Sequence, residues 1–399
     1  MEELTIGEIY RAQMVLRDVA RHPKIRGPTQ LSDSCRIYLK PENLQHTGAF
    51  KLRGAYYKIS QLTDEEKHHG VIACSAGNHA QGVALAASHN GIKSLICLPA
   101  GAPISKIEAT KRLGAEVCLV PGVYDDAYAK AIELKEEKGY TFVHPFNDPK
   151  VIAGQGTIGL EILEEMPGVE AIVVPVGGGG LIAGVAFAVK TLRPDIKIYG
   201  VQAAGAPSMA ESMKKHERVH LDSVSTVADG IAVKEPGDLT YELCERYVDE
   251  IVTVNDDEIA AAILALIEKQ KLVAEGAGAA AVAAAMFGKL PLEGKKVVCL
   301  VSGGNIDVNI LSRVINRGLL KNGRLCQLEL EVPDKPGTLS QVLKVVADHG
   351  GNVLSVSHER VAASSQINAC TLHLELETLD HNHVSRLKAA LGEAGFPVA

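Results

Sequence analysis

Lys51 stands in the stretch Thr47-Gly48-Ala49-Phe50-Lys51-Leu52-Arg53-Gly54-Ala55, with apolar neighbours and a glycine on either side. A lysine held in a partly apolar pocket loses its preference for the charged form. Its free amine can then form an imine with an aldehyde cofactor, the route by which lysine becomes a covalent catalyst. The plainer reading is a snorkelling lysine at a helix start, stem on the core and head in water. Three further stretches offer complementary chemistry. Ser75-Ala76-Gly77-Asn78-His79-Ala80-Gln81-Gly82 puts small residues and polar donors at a predicted helix N-terminus. Free N–H groups and the helix dipole there favour an anion such as a substrate carboxylate; an Asn78 N-cap with glycines for tight packing accounts for it equally well. Gly177-Gly178-Gly179-Gly180-Leu181 lets several N–H groups converge on one phosphate. Ile182 occupies the last glycine position of a dinucleotide fingerprint, and no Gly-Lys-Ser/Thr follows, so this is a phosphate cup without a nucleotide motif. Val301-Ser302-Gly303-Gly304-Asn305 offers a small hydroxyl before a glycine turn and, alone, reads as a turn serine.

The elements that must position these residues alternate in type. Short apolar runs predict strands at 36–40, 71–74, 94–98, 116–120, 140–143, 171–176, 197–201 and 297–301. Between them, helical spacing predicts helices at 5–21, from Lys51 to about 62, and at 78–89, 104–113, 124–138, 181–192, 256–271 and 276–287. Strands alternating with helices imply βαβ units and parallel sheets, here two lobes with a cleft between them at the carboxyl ends of strands. The three ligand-binding stretches all follow predicted strands.

Composition narrows the function classes. The chain has 399 residues, 46% hydrophobic and 22% charged, with a net charge of −7 and no long basic run, which opposes nucleic acid as a partner. Eight cysteines form no C-x-x-C pair and sit mostly inside apolar runs, as buried thiols in a reducing compartment do. The acidic start is no signal peptide, and nothing reaches the roughly 20 apolar residues of a membrane helix. A cytoplasmic protein with no membrane partner is expected.

An aldehyde for Lys51, a phosphate for the glycines and a heteroaromatic ring between them describe pyridoxal 5′-phosphate. The sequence resembles the fold-type II pyridoxal phosphate enzymes, and within them the threonine dehydratases (threonine ammonia-lyases). Resemblance covers most of residues 5–322, through 47–55, 75–82, His144-Pro145-Phe146, 152–157, 177–181, Glu275-Gly276-Ala277-Gly278 and 302–305. It implies an α/β fold of two lobes, the small one at about 55–145 inserted in the large one. It makes Lys51 the imine-forming, catalytic lysine and Phe50 its neighbour against the ring. It gives Asn78 the ring hydroxyl, Gly177, Gly178, Gly179, Gly180 and Leu181 the phosphate, and Ser302 the pyridine nitrogen. Ser75, Ala76, Gly77, Asn78 and His79 would hold the substrate carboxylate. The implied reaction takes L-threonine to 2-oxobutanoate and ammonia, and L-serine to pyruvate. Serine racemases and serine dehydratases are the neighbouring alternative. Racemases carry a serine where Ala76 stands, and acidic metal ligands where Gln202 and Ser208 stand, so dehydration is preferred and no divalent metal site is expected. An amino-acid sensor with a degenerate catalytic lobe is the non-enzyme alternative, and the presence of Lys51, Asn78 and Ser302 together opposes it.

A polar, glycine-marked linker is expected near 316–325. Beyond it, 325–399 reads as a separate small domain. Alternation over 327–332 predicts a strand, Asp334-Lys335-Pro336-Gly337 a turn, and Thr338 with Gln341 a capping box. A helix from Leu339, strands at 352–358 and 367–377 and a helix at 382–394 complete a βαββα order that resembles an ACT regulatory domain, α+β and ferredoxin-like. Its closing strand is short of residues, since only Phe396-Pro397-Val398-Ala399 remain. The resemblance implies a homo-oligomer, dimer or tetramer, and a small-molecule effector, an amino acid or AMP; an assembly module without effector fits equally well. His349, His358, His373, His381 and His383 read as solvated.

Overall fold

In the computed structural model, which describes residues 4–360 and 368–398, the strands of the first unit, Met1–Asp307, all pair in parallel. The chain runs α1 (Ile6–Leu16), β1 (Arg36–Pro41), α2 (Lys51–Ser60), α3 (Asp64–His69), β2 (Val71–Cys74), α4 (Asn78–His89), β3 (Ser94–Pro99), α5 (Ile104–Arg112), β4 (Glu116–Val120), α6 (Tyr124–Lys138) and β5 (Thr141–Phe142). It continues through α7 (Pro149–Glu165), β6 (Ala171–Pro175), α8 (Gly180–Leu192), β7 (Lys197–Ala203), α9 (Ser208–Lys215), α10 (Asp238–Tyr247), β8 (Glu250–Val254), α11 (Asp256–Ala265), α12 (Gly276–Met286) and β9 (Lys296–Val301). Strands β2 to β5 form one sheet in the order β4-β3-β2-β5. The other sheet, β1-β9-β6-β7-β8, draws its strands from both sides of that stretch. Fully buried apolar strands such as Ala171–Pro175 need cover on both faces, which the βαβ crossovers supply. The expected class, two parallel-sheet lobes followed by a small α+β domain, is the one found.

Several elements were not foreseen. α7 is buried along most of its length, Val151 to Ile162, polar Gln155, Thr157 and Glu161 included, so its polar residues mark no solvent face. β8, α3 and α9 span eight residues or fewer, and α10 was not foreseen although it is amphipathic. The helix expected to reach 271 gives way to a π-turn at Leu266–Gln270, and the first helix stops at Leu16 instead of 21.

The second unit, Val308–Ala399, begins with a correction. Residues expected to be linker up to 321 belong to α13 (Val308–Lys321); Gly318 is buried inside that helix and does not break it. There follow β10 (Leu325–Pro333), α14 (Thr338–Asp348), β11 (Asn352–Glu359), β12 (Ala369–Glu377) and α15 (His381–Glu393). The antiparallel sheet has the order β10-β12-β11. Its apolar face, with Leu328, Leu330, Leu372 and Leu374, packs with Val342, Val346, Leu387 and Leu391 of the two helices. The start of the 367–377 strand, at 367, lies outside the described residues. The capping box is not formed: the N-cap of α14 is Gly337, at φ +94, and Thr338 is the first helical residue. The closing strand is reduced to one antiparallel bridge, Val398 to Leu330. Among the histidines, His383 is buried and bonds the His349 carbonyl, so it is a packing residue and not a solvated one. No helix among the described residues is long and apolar enough to cross a membrane.

Candidate active site

Lys51 opens α2, and the residues before it are pinned to the end of β9. Phe50 N–H donates to the Ser302 carbonyl at 3.1 Å, and Ala49 bridges Gly303. The lysine does not reach into bulk water: Nζ donates to the Pro145 carbonyl at 2.7 Å and lies 5.4 Å from the Phe50 ring centroid. Burial lowers the pKa of its ammonium to about 8, against a smaller upward pull from Glu275. The residue after Pro145 joins this amine to the glycine loop. A Cβ on Gly178 would fall 2.4 Å from the Phe146 ring, and one on Gly180 2.8 Å from Phe146 Cα. Gly179, at φ +96, is the N-cap of α8 and supplies no side-chain cap. Only backbone fits along this loop, leaving the first N–H groups of α8 without a side-chain acceptor. Thr240 fixes it from behind, its hydroxyl donating to the Gly178 carbonyl at 2.6 Å. Leu181 belongs to the apolar cluster of the large sheet, so its side chain is core and only its N–H can serve a phosphate.

At the start of α4 the N-cap is Gly77, which makes no side-chain cap, so Asn78 is not the capping residue. The Asn78 amide instead donates to Glu275 Oε1 at 2.6 Å and accepts from Asn305 Nδ2 at 2.8 Å. Asn305 also donates to the Thr47 carbonyl at 2.7 Å, closing the network onto the Lys51 segment. Glu275 is buried; desolvation, helped by the Asp229 carboxylate, pushes its pKa up to about 7. Ser75 accepts from Gly77 N–H at 3.1 Å, while Ser75, Ala76 and Gly77 stay partly exposed. A Cβ at Gly77 would meet nothing within 4 Å, so the backbone there faces open space. At His79 the side chain turns inward. Its ring is buried, bonds the Val143 carbonyl at 2.8 Å and has a pKa lowered to about 3, chiefly by burial. It anchors the base of α4 and offers no side-chain contact to a carboxylate.

Four helices hold these groups through glycines. A Cβ on Gly82 of α4 would sit 3.1 Å from the Leu52 nitrogen and the Lys51 carbonyl carbon. One on Gly154 of α7 would sit 2.7 Å from Gly54 Cα of α2. One on Gly184 of α8 would sit 2.3 Å from the Ile152 carbonyl of α7. The lysine helix and the glycine-loop helix are therefore tied through α7 by main chain against main chain. A buried ionic network reinforces them. Arg53, two residues after the lysine, donates to both Glu42 oxygens at 2.8 Å and to Glu161 Oε1 at 2.5 Å. Lys40 bridges Glu161 and Glu165 at 2.7 and 2.8 Å. His22 bonds Glu161 at 2.8 Å, which raises the pKa of its imidazole.

The sequence-derived residues Lys51, Phe50, Asn78, the glycine loop and Ser302 thus share one neighbourhood. Phe50 is half-buried against the large-sheet cluster, and Ser302 is buried just past β9. Sequence reasoning missed Glu275, Asn305, Pro145 and Thr240 as site residues; the first three lie in or beside motifs already noted. At the positions of the racemase metal ligands, Gln202 Oε1 is taken by the Ala210 N–H at 2.8 Å. The buried atoms left unpaired at these two positions are Gln202 Nε2, a donor, and Ser208 Oγ, and neither is the carboxylate of a racemase.

Residues 23–303 match the family model described as pyridoxal-phosphate dependent enzyme, and residues 327–392 match the ACT domain. The chain is 52% identical to an L-threonine ammonia-lyase of Thermotoga maritima over 397 residues, 99% of each chain. Among solved structures, the processed form of threonine deaminase isoform 2 from Solanum lycopersicum superposes with a TM-score of 0.74 at 40% identity, covering 79% of this chain and 89% of that one. Maize serine racemase superposes with the same TM-score at 35% identity, covering 79% and 98%.

Proposed function

The chain belongs to the pyridoxal-phosphate dependent enzymes, and from that premise we propose that it is a threonine ammonia-lyase in which Lys51 carries the chemistry. The reaction is the dehydrating deamination of L-threonine to 2-oxobutanoate and ammonia, with L-serine giving pyruvate. The residues present fit the cofactor. An amine with pKa about 8, a loop that admits only backbone and a neutral buried serine meet an aldehyde, a phosphate and a ring nitrogen. When bound, pyridoxal phosphate supplies an electron sink for the substrate α-carbon.

The remaining work falls to the protein. Lys51 would hold the cofactor aldehyde at rest and, once released, its neutral amine would take the substrate α-proton as general base. The open backbone at residues 75–78 and the uncapped start of α4 would take the substrate carboxylate. The N–H groups of 177–181 would hold the cofactor phosphate, Ser302 the ring nitrogen and Asn78 the ring hydroxyl, with Phe50 beside the ring. Ser302 is a neutral hydroxyl, which does not hold a proton on the ring nitrogen as a carboxylate does. That favours loss of a β-hydroxyl over transamination. Ala76 has no side-chain proton to deliver, which favours elimination over racemisation.

The observation that carries this reading is the Lys51 amine, desolvated and one residue-pair contact from the glycine loop. Replacing it with alanine is expected to lower 2-oxobutanoate release by at least about 10²–10⁴-fold, the worth of a positioned proton-transfer group. Borohydride reduction of the yellow protein is expected to label the peptide containing Lys51. Turnover retained in Lys51→Ala, or label elsewhere, overturns it; D-serine formed without ammonia assigns the racemase reaction instead. The same assay with AMP, isoleucine or valine tests the ACT unit as a sensor, and an unchanged rate makes it an assembly module for a dimer or tetramer. Eight free cysteines, seven of them buried, fit a cytoplasmic setting.

A further inference from the structure

The antiparallel sheet of the C-terminal unit gathers three side chains that are far apart in sequence. Register places His358 opposite Leu372 and Cys370 opposite Val332, two residues before Asp334. His358 Nε2 lies 2.8 Å from Cys370 Sγ and 4.0 Å from Asp334 Oδ1, and the three donor atoms lie within 4.8 Å of one another. Arg360 Nε donates to the other Asp334 oxygen, Oδ2, at 2.9 Å, which holds the carboxylate with Oδ1 turned toward the histidine. The cluster borders a cavity of about 240 Å³ that is also lined by Lys335, Gly337 and Thr338. Cys370 is buried, while His358 and Asp334 are partly exposed.

We propose that Asp334, His358 and Cys370 form a binding site for a divalent transition metal, with zinc the ion their chemistry selects. Thiolate and imidazole donors exclude calcium and magnesium, which take oxygen ligands. Zinc bonds of about 2.0–2.3 Å in a tetrahedron put ligand atoms roughly 3.3–3.6 Å apart. The His358–Cys370 pair opens toward that spacing and the Asp334–His358 pair closes toward it, each by less than about 1 Å. On binding, the metal forms a bond to Sγ as the Cys370 thiol proton leaves to solvent, with no change of oxidation state. Arg360 is the outer partner that orients the carboxylate. The fourth coordination position opens on the cavity, so water or a small ligand completes the site. The site lies wholly within the C-terminal unit and is independent of the catalytic reading.

The test uses the full-length protein with its pyridoxal phosphate, stripped of metal by a chelator and titrated with Co²⁺. Expected are one equivalent per chain, a thiolate-to-cobalt charge-transfer band, tetrahedral cobalt absorption at wavelengths longer than the cofactor's, and displacement by Zn²⁺. Cys370→Ser is expected to abolish the charge-transfer band. His358→Gln and the more exposed Asp334→Asn are each expected to weaken binding at least about tenfold, with far-UV circular dichroism matched to the parent to establish folding. Cobalt bound without a thiolate band, no stoichiometric binding by the parent, or unchanged binding in folded His358→Gln and Asp334→Asn overturns the proposal.

Discussion

For Lys51 the governing quantity is the pH at which its amine becomes neutral. With a pKa of about 8, roughly a tenth of chains carry the free amine at pH 7, against fewer than about one in a thousand for an ordinary lysine near 10.4. In cofactor-free protein, acylation of Lys51 followed by peptide mass spectrometry is expected to rise about tenfold per pH unit and level off above about 8. Surface lysines keep rising beyond that point; a Lys51 that rises with them would show a solvated amine. Glu275 shifts the other way, its pKa raised by burial to about 7 from the ordinary 4.5. The folded protein therefore holds a proton that the unfolded chain has released between those values. The stability this confers is full below about 4.5 and is lost as pH rises through 7. Glu275→Gln keeps an acceptor for Asn78 and removes the titration, so its Tm relative to the parent is expected to climb from pH 5 to pH 8. A constant Tm difference would place Glu275 in water. Lys51, the glycines and Ser302 were legible from motifs because each sits in a short distinctive run. Glu275 and Asn305 were not, because their partner Asn78 lies 197 and 227 positions away. The inward turn of the His79 ring was not legible, because a motif position says nothing of which way a ring turns.

Among the elements, the glycine contacts and the Arg53 network carry the heaviest constraints. Gly178→Ala puts a methyl 2.4 Å from the Phe146 ring and forces that loop to move. Cofactor retention, read as visible absorbance after dialysis, is expected to fall at least about tenfold (1.4 kcal/mol), within the roughly 1–3 kcal/mol usual for overpacking. Full retention would mean Phe146 swings away freely. Arg53→Met leaves Glu42 and Glu161 buried without their shared cation, and a broken buried pair costs about 3–5 kcal/mol. Urea unfolding should show that loss; a change below about 1 kcal/mol would mean water reaches the carboxylates. Strands β2 and β4 fell where apolar runs bounded by turn residues placed them. α7 escaped because it is buried nearly all round, its polar Gln155, Thr157 and Glu161 included, and α13 because Gly318, buried within the helix, looked like punctuation.

The whole chain pairs a parallel α/β unit with a small antiparallel one, and the break in patterning after residue 325 was plain in the alternation of β10. What sequence could not show is that α13 groups with the second unit, since its amphipathic face suits either. Because each unit has its own apolar core, a chain ended after residue 307 is expected to fold and to retain threonine turnover. It should also lose any response to AMP, isoleucine or valine that the full chain shows; an inactive but folded product would mean the second unit completes the catalytic one. The main-chain contacts among α2, α4, α7 and α8 bear on attempts to retool the enzyme for another amino acid. Libraries at Gly82, Gly154 and Gly184 have little room to vary, since the nearest atoms there are peptide groups. Gly77 is different: a side chain grafted there enters vacant volume beside the proposed carboxylate site, so it is expected to obstruct any amino-acid substrate without disturbing the fold.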